Sequence, residues 1–189
     1  QWAEAGATGW SYADCLPYFK RAERWMCGAD AYRGGEGPVD TCNGNNMKNP
    51  LYAAFIAAGE EAGYGRTDGH NGYRQEGFGA MHMTVRRGER CSTDWAYLAP
   101  ARKRPNLTVV TEAEVDKVTL SGKQVTGVRY QRRGEMCEAS ARREVILSAG
   151  SIGSPAILQR SGAGPSHVLA EAGVPVQHEL PGVGENLQD

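Results

Sequence analysis

The 189-residue sequence contains no G-x-G-x-x-G turn, no G-x-S-x-G, no S-x-x-K and no P-loop. The first absence removes the glycine turn that lets backbone approach a pyrophosphate, so tight dinucleotide binding by these residues alone is not expected. The others remove the common serine-nucleophile and phosphate-cradle arrangements. The five cysteines (Cys15, Cys27, Cys42, Cys91 and Cys137) include no C-x-x-C pair. The four histidines (His70, His82, His167 and His178) show no H-E-x-x-H spacing. Metal sites need ligands at close paired spacings, so no metal site is expected; free thiols in a reducing cytoplasm are the simpler reading. The histidines read as surface or loop residues. No apolar run approaches the ~20 residues that cross a bilayer, and no signal-peptide pattern opens the chain. A net charge of −1 offers no bulk attraction to nucleic acid or anionic lipid. The short basic runs Arg102-Lys103-Arg104 and Arg132-Arg133 end at Pro105 and Gly134, as solvated turns do, and no basic cluster is interleaved with aromatics.

What is present reads as globular: 40% hydrophobic and 23% charged residues, long enough for one domain with a real core. Ser11 and Asp14 have capping-box spacing, and Pro17 fits a helix start just after them. A helix through Tyr18, Phe19 and Ala22, reaching toward Trp25, would place aromatics on one core-facing stripe. Asn49-Pro50 opens a second helix with Leu51, Phe55, Ala58 and Ala62 on its core face and Gly63 at its end. Residues 64–90 read as loop, with Asp68-Gly69-His70-Asn71-Gly72 a turn rather than a calcium loop. Ser92 caps a short helix through Trp95, Tyr97 and Leu98, stopped by Pro100.

From Asn106 the period changes to two. Strands are expected at Leu107–Thr111, Val115–Leu120 and Val125–Tyr130, with a hairpin turn at Ser121-Gly122-Lys123. A weak polar strand at Glu138–Arg142 precedes an apolar one at 144–148. Gly150 to Gly164 then reads G-S-I-G-S-P-A-I-L-Q-R-S-G-A-G, with Ser154 as N-cap, Pro155 at the first helical position and Gly162 as the stop. A strand, a turn and a helix N-terminus present backbone N–H groups to an anion; a plain packing turn has the same pattern. Pro165-Ser166 opens a last helix that Gly173 closes, and the tail from Leu180 is irregular.

The 150–164 stretch resembles the second sequence motif of the glucose-methanol-choline family of flavin oxidoreductases, with Ala163 where that family has a larger aliphatic. The likeness covers essentially the whole chain. It includes Trp10-Ser11-Tyr12 through Leu16-Pro17-Tyr18-Phe19-Lys20 and Glu23, Gly34-Gly35-Glu36-Gly37-Pro38, and Gly88 with Arg90-Cys91-Ser92. It continues through Arg104-Pro105-Asn106-Leu107 and Gly182-Val183-Gly184-Glu185-Asn186-Leu187-Gln188-Asp189. Asn71-Gly72-Tyr73, Gln75-Glu76-Gly77-Phe78-Gly79 and Glu179-Leu180-Pro181 resemble the family's choline-oxidising members.

The resemblance implies a mixed α/β (α+β) fold: part of a doubly wound FAD-binding domain with part of a substrate domain. Residues 1–105 would be helical and loop segments at the junction of the two. Residues 106–189 would be the meander and strand-turn-helix portion of the FAD domain. The backbone of Val115 is implied to meet the adenine; its side chain alone reads as core. Ala149 and Gly150 are implied to lie near the diphosphate and ribose. The implied parent oxidises a small alcohol such as choline to betaine aldehyde by hydride transfer to FAD, in the cytoplasm or at the cytoplasmic membrane's periphery. No residue here matches the family's catalytic histidine pair or its pyrophosphate glycines, and Gln1-Trp2-Ala3-Glu4 opens without Met. The chain is therefore expected to be an inactive internal fragment that does not retain FAD and self-associates through exposed edges. The alternative is a non-catalytic interaction module on a degenerate scaffold of the same family.

Overall fold

The computed structural model describes residues 2–187, except for the side chains of Asn45 and Asn46. The fold is mixed α/β, and the chain divides into two compact units, Gln1–Thr108 and Val109–Asp189.

In the first unit, helix α1 (Tyr12–Ala22) starts at the expected capping box. Ser11 Oγ accepts from the Asp14 N–H at 3.3 Å, and Asp14 Oδ2 accepts from the Ser11 N–H at 3.1 Å. The Ser11 hydroxyl, donating to Asp14 Oδ2 at 2.6 Å, and then the Ser11 N–H hold the Asp14 carboxyl below its ordinary pKa. The box sets the start five residues before Pro17, which therefore lies inside the helix and forfeits one backbone bond. Strand β1 (Glu23–Trp25) follows at once, so Trp25 belongs to a strand and not to the helix. The expected aromatic core stripe is not buried: Tyr18 and Phe19 are exposed.

Strand β1 runs parallel to β2 (Val39–Asn43), which pairs antiparallel with β3 (His82–Met83). Helix α2 (Pro50–Glu61) opens as expected, with Asn49 Oδ1 accepting from the Leu51 N–H at 3.0 Å and Pro50 in the first turn. Its inward face differs from the expected one. Leu51 and Phe55 are exposed, and Ile56 and Gly59 are buried because Gly59 admits the Phe78 ring. Within the expected loop, β4 (Val85–Arg86) and β5 (Glu89–Arg90) form a small hairpin beside β3. Ser92 Oγ accepts from the Trp95 N–H at 3.4 Å, at the start of a wide turn (Asp94–Leu98) that passes into the short α3 (Ala99–Ala101). Pro100 lies inside α3 and does not stop it, because a proline's missing donor costs nothing in a first turn.

The second unit is built on a meander of β6 (Ala113–Ser121), β7 (Gln124–Arg132) and β8 (Glu135–Ser140), in that spatial order. The turn at Gly122-Lys123 is where the sequence puts it, and β8 begins three residues before the expected polar strand. Two irregularities interrupt the β6–β7 register. Asp116 is an extra residue between Val115 and Lys117, and Thr126 is an extra residue on β7 opposite Thr119/Leu120. The other expected strands, Leu107–Thr111 and 144–148, form no ladder among the described residues. Their alternation is of the type that fills a sheet between neighbours, and here Leu107, Val109, Val110 and Ile146 are exposed.

Helix α4 (Gly150–Arg160) starts four residues before the expected cap. The chain turns at Ala149-Gly150, where Gly150 has φ +84°, and enters the helix directly. Pro155 lies in the interior, and Ser154 Oγ reaches back to accept from the Ala149 N–H at 3.0 Å. The end is as expected, with Gly162 at φ +84° just past Ser161. A two-residue strand β9 (Ala163–Gly164), helix α5 (Ser166–Glu171) and strand β10 (His178–Glu179) complete the unit, β10 lying parallel to β9. Ile157, Ala163, Pro165 and Leu169 form its core with Val118 of β6. Among the described residues no helix is long and apolar enough to cross a membrane.

Candidate functional site

The β6–α4 pair in the second unit carries all three residues singled out by sequence. Strand β6 is an edge of its sheet, so the groups on its free side seek partners outside the meander. The C-terminal turn of α4 supplies some of them. Ser161, only 7% exposed, accepts the Val118 N–H on Oγ at 2.9 Å and donates to the Ile157 carbonyl at 2.6 Å. Arg160 donates from Nε to the Asp116 carbonyl at 2.7 Å and from Nη2 to the Val115 carbonyl at 3.1 Å. Arg129 on β7 holds the Asp116 carboxylate, with Nε–Oδ2 at 2.7 Å.

Val115 is thus a half-buried strand residue with its carbonyl on the free edge. Ala149 and Gly150 form the other end of α4. The N-cap Ala149 offers no side-chain cap and its own N–H is held by Ser154 Oγ; Ala149 and Gly150 are exposed, and a Cβ placed on Gly150 would meet nothing within 4 Å. The structure brings Ala149 and Gly150 together and ties Val115 to the opposite end of the same helix. Arg160 and Ser161 were missed in the sequence. Ser161 stands in the sequence only as a member of the 150–164 motif, next to the Gly162 stop, and nothing about Arg160 in the sequence marks its contacts.

The Val115 carbonyl, with a lone pair beyond its bond to Arg160, and the helix start at the open Gly150 are the features of this unit that suit an adenine dinucleotide. The first can accept from a base amine, and the second turns a positive dipole end toward phosphate.

The first unit holds a different cluster. Arg33, 4% exposed, donates to both carboxylate oxygens of Glu23, with Nε–Oε2 at 2.9 Å, and stacks 4.0 Å over the Trp25 ring. Thr41 Oγ1 at 2.7 Å and the Gly34 N–H at 3.1 Å complete the Glu23 shell. Burial pushes the Glu23 pKa up, but these donors and the Arg33 charge outweigh it and leave it below its ordinary value. His82, read from sequence as a surface or loop residue, is half-buried in β3. Its ring centroid lies 4.6 Å from that of Trp25, and its Nδ1 lies 3.0 Å from Arg33 Nη1. Burial and then the Arg33 charge lower its pKa, so it is neutral and accepts from Arg33. This cluster is a brace between β1, β2 and β3.

A stability consequence follows. A folded pKa below the ordinary 6.5 means that the unfolded chain takes up a proton the folded one refuses. His82 therefore contributes stability that is present above pH 6.5 and lost as pH falls through the folded pKa. The urea midpoint of the first unit is expected to drop between pH 7.5 and 5.5, and His82→Gln should flatten that slope. Equal midpoints at both pH values in the unsubstituted chain would contradict this.

Comparison with known proteins settles the family. The sequence profile described as GMC oxidoreductase matches residues 1–189. The oxygen-dependent choline dehydrogenase of Photobacterium profundum is 60% identical over 190 residues, covering 100% of this chain and 34% of that protein. The enzyme of the same name from Vibrio vulnificus is 55% identical with the same coverage. Among solved structures, an FAD-dependent oxidoreductase from Chaetomium thermophilum superposes with a TM-score of 0.90 at 30% identity, covering 100% of this chain and 35% of that one. A pyridoxine 4-oxidase from Mesorbium loti gives 0.82 at 34% identity, over 91% of this chain and 34% of that one. The chain spans about a third of the length of these relatives. It belongs to the glucose-methanol-choline (GMC) oxidoreductase family.

Proposed function

We propose that this chain is one cofactor-facing portion of an FAD-dependent alcohol dehydrogenase whose alcohol is choline. The observation that carries the reading is the β6–α4 arrangement, with the Val115 carbonyl on the outer edge of the sheet beside Arg160 and the helix start at Gly150. The names of the relatives at 60% and 55% identity support choline as the alcohol. When bound, FAD supplies the hydride acceptor for oxidation of the alcohol carbon. Val115 would present its backbone to the adenine, and the Ala149-Gly150 turn would lie against the diphosphate and ribose with the Gly150 N–H facing them, the Ala149 N–H being held by Ser154 Oγ. The first unit would contribute to the junction with the substrate domain. On this reading the chain provides binding surface, while proton removal from the alcohol belongs to residues outside it.

The purified 189-residue chain is therefore expected to show no flavin bands near 450 nm after incubation with FAD and gel filtration. A protein of the relatives' full length that includes this sequence should come off the column yellow and reduce its flavin on addition of choline. Near-stoichiometric flavin on the 189-residue chain, or a full-length protein indifferent to choline, would overturn the respective halves of the reading.

A further inference from the structure

We propose that Arg160 is a positioning residue for the adenine end of the cofactor, holding the Val115 carbonyl in the orientation that reads the base. This rests on the FAD reading above. In a regular strand successive carbonyls point to opposite sides, so one side chain cannot receive two in a row. Here the extra residue at Asp116 breaks that alternation, and a single guanidinium meets both the Val115 and Asp116 carbonyls, at 3.1 and 2.7 Å. Two bonds from a planar fork fix the carbonyls' direction as one bond from a flexible ammonium does not.

The surroundings show that the bulge is held and not loose. Arg129 grips the Asp116 carboxylate from β7, and buried Ser161 anchors Val118 to the same helix end. Arg160 makes no ion pair among the described residues, and the two carbonyls are its hydrogen-bond partners there. A carbonyl oxygen has two lone pairs, and one stays open to an exocyclic amine after Arg160 takes the other. Adenine carries such an amine at C6 and hypoxanthine does not. Arg160 therefore acts on the cofactor through Val115, and its loss should be felt at the base and not at the phosphates.

The experiment compares FAD with its hypoxanthine analogue on the full-length apoenzyme, with dissociation constants measured by flavin fluorescence. The unsubstituted enzyme should prefer FAD by about tenfold, the scale of one well-made hydrogen bond. Arg160→Met should weaken FAD by most of that factor, change the analogue less than about twofold, and leave the apoenzyme melting temperature in place. Arg160→Lys, which keeps one donor, should fall between and decides the matter if the Met variant does not fold. Equal weakening of both ligands would show a merely structural role and overturn the proposal while leaving the Val115 reading intact. No preference for FAD in the unsubstituted enzyme would overturn both.

Discussion

Gly34→Ala is expected to abolish folding of the first unit. A Cβ on Gly34 would stand 1.9 Å from the Lys20 carbonyl oxygen and 2.6 Å from that of Glu23. Both obstacles are backbone at the junction of α1 and β1, so neither can swing aside as a side-chain tip would. Relief requires moving the segment that holds Gly34 away from β1, which breaks the Trp25 N–H bond to the Gly34 carbonyl at 2.8 Å and the Gly34 N–H bond to Glu23. The combined cost of overlap and lost bonds is about 4–5 kcal/mol or more, comparable to the whole stability of many domains. Gly88→Ala is the control: its φ of +85° is strained for alanine, but nothing lies within 4 Å, so the loss should be only about 1 kcal/mol. Circular dichroism melts of the two variants separate the cases. A Gly34→Ala chain that melts like the parent would mean that the tight crossing at the end of α1 is wrong.

Arg33→Met should cost about 3–5 kcal/mol, because it strands a carboxylate. The Glu23 side chain is 17% exposed and has its strongest partner in Arg33. Thr41 and the Gly34 N–H remain, but they do not neutralise the charge. Methionine preserves much of the packing over Trp25, so the loss reads mainly as charge. Adding Glu23→Gln should recover a large part of it, since removing both partners of a buried pair is milder than removing one. The pH dependence also weakens. With Arg33 present, the low pKa of Glu23 gives stability above pH 4.5 that is lost on acidification. With Arg33 gone, burial is opposed only by Thr41 and the Gly34 N–H, so the variant should lose less stability on acidification than the unsubstituted chain. Denaturant midpoints for both single variants and the double variant, each at pH 7 and pH 4.5, test the cycle; additive losses would show that Arg33 and Glu23 do not act as a pair.

The sequence made the local signals legible and the long-range ones not. The capping box at Ser11, the Asn49-Pro50 start, the Gly122-Lys123 turn and the Gly162 stop each follow from residues within one turn of each other, and each stands where expected. The failures share a cause. Leu107–Thr111 and 144–148 carry the alternation of sheet strands, but strand pairing is decided by distant neighbours, and none pairs with them among the described residues. The aromatic faces of α1 and α2 read as core for the same reason. The described residues expose 14285 Å2. A compact monomer of this mass exposes about 8,800 Å2, and two separate bodies of these sizes together expose roughly 10,600 Å2. Periodicity thus marked surfaces meant for burial without saying what covers them. At the candidate site, the family motif led to Ala149, Gly150 and Val115, whereas Arg160 became visible only once the bulge turned two carbonyls toward it.

That bulge also governs how the hairpin tolerates changes in length. Successive side chains of a strand point to opposite faces and Val118 is the buried one on β6, so losing or gaining one residue inside the strand would turn Val118 outward. Asp116 and Thr126 are exceptions, each already standing outside the pairing count. Insertions and deletions compatible with this fold therefore belong at those two positions or in the two tight turns, and the stretch from Lys117 to Thr119 must keep its spacing.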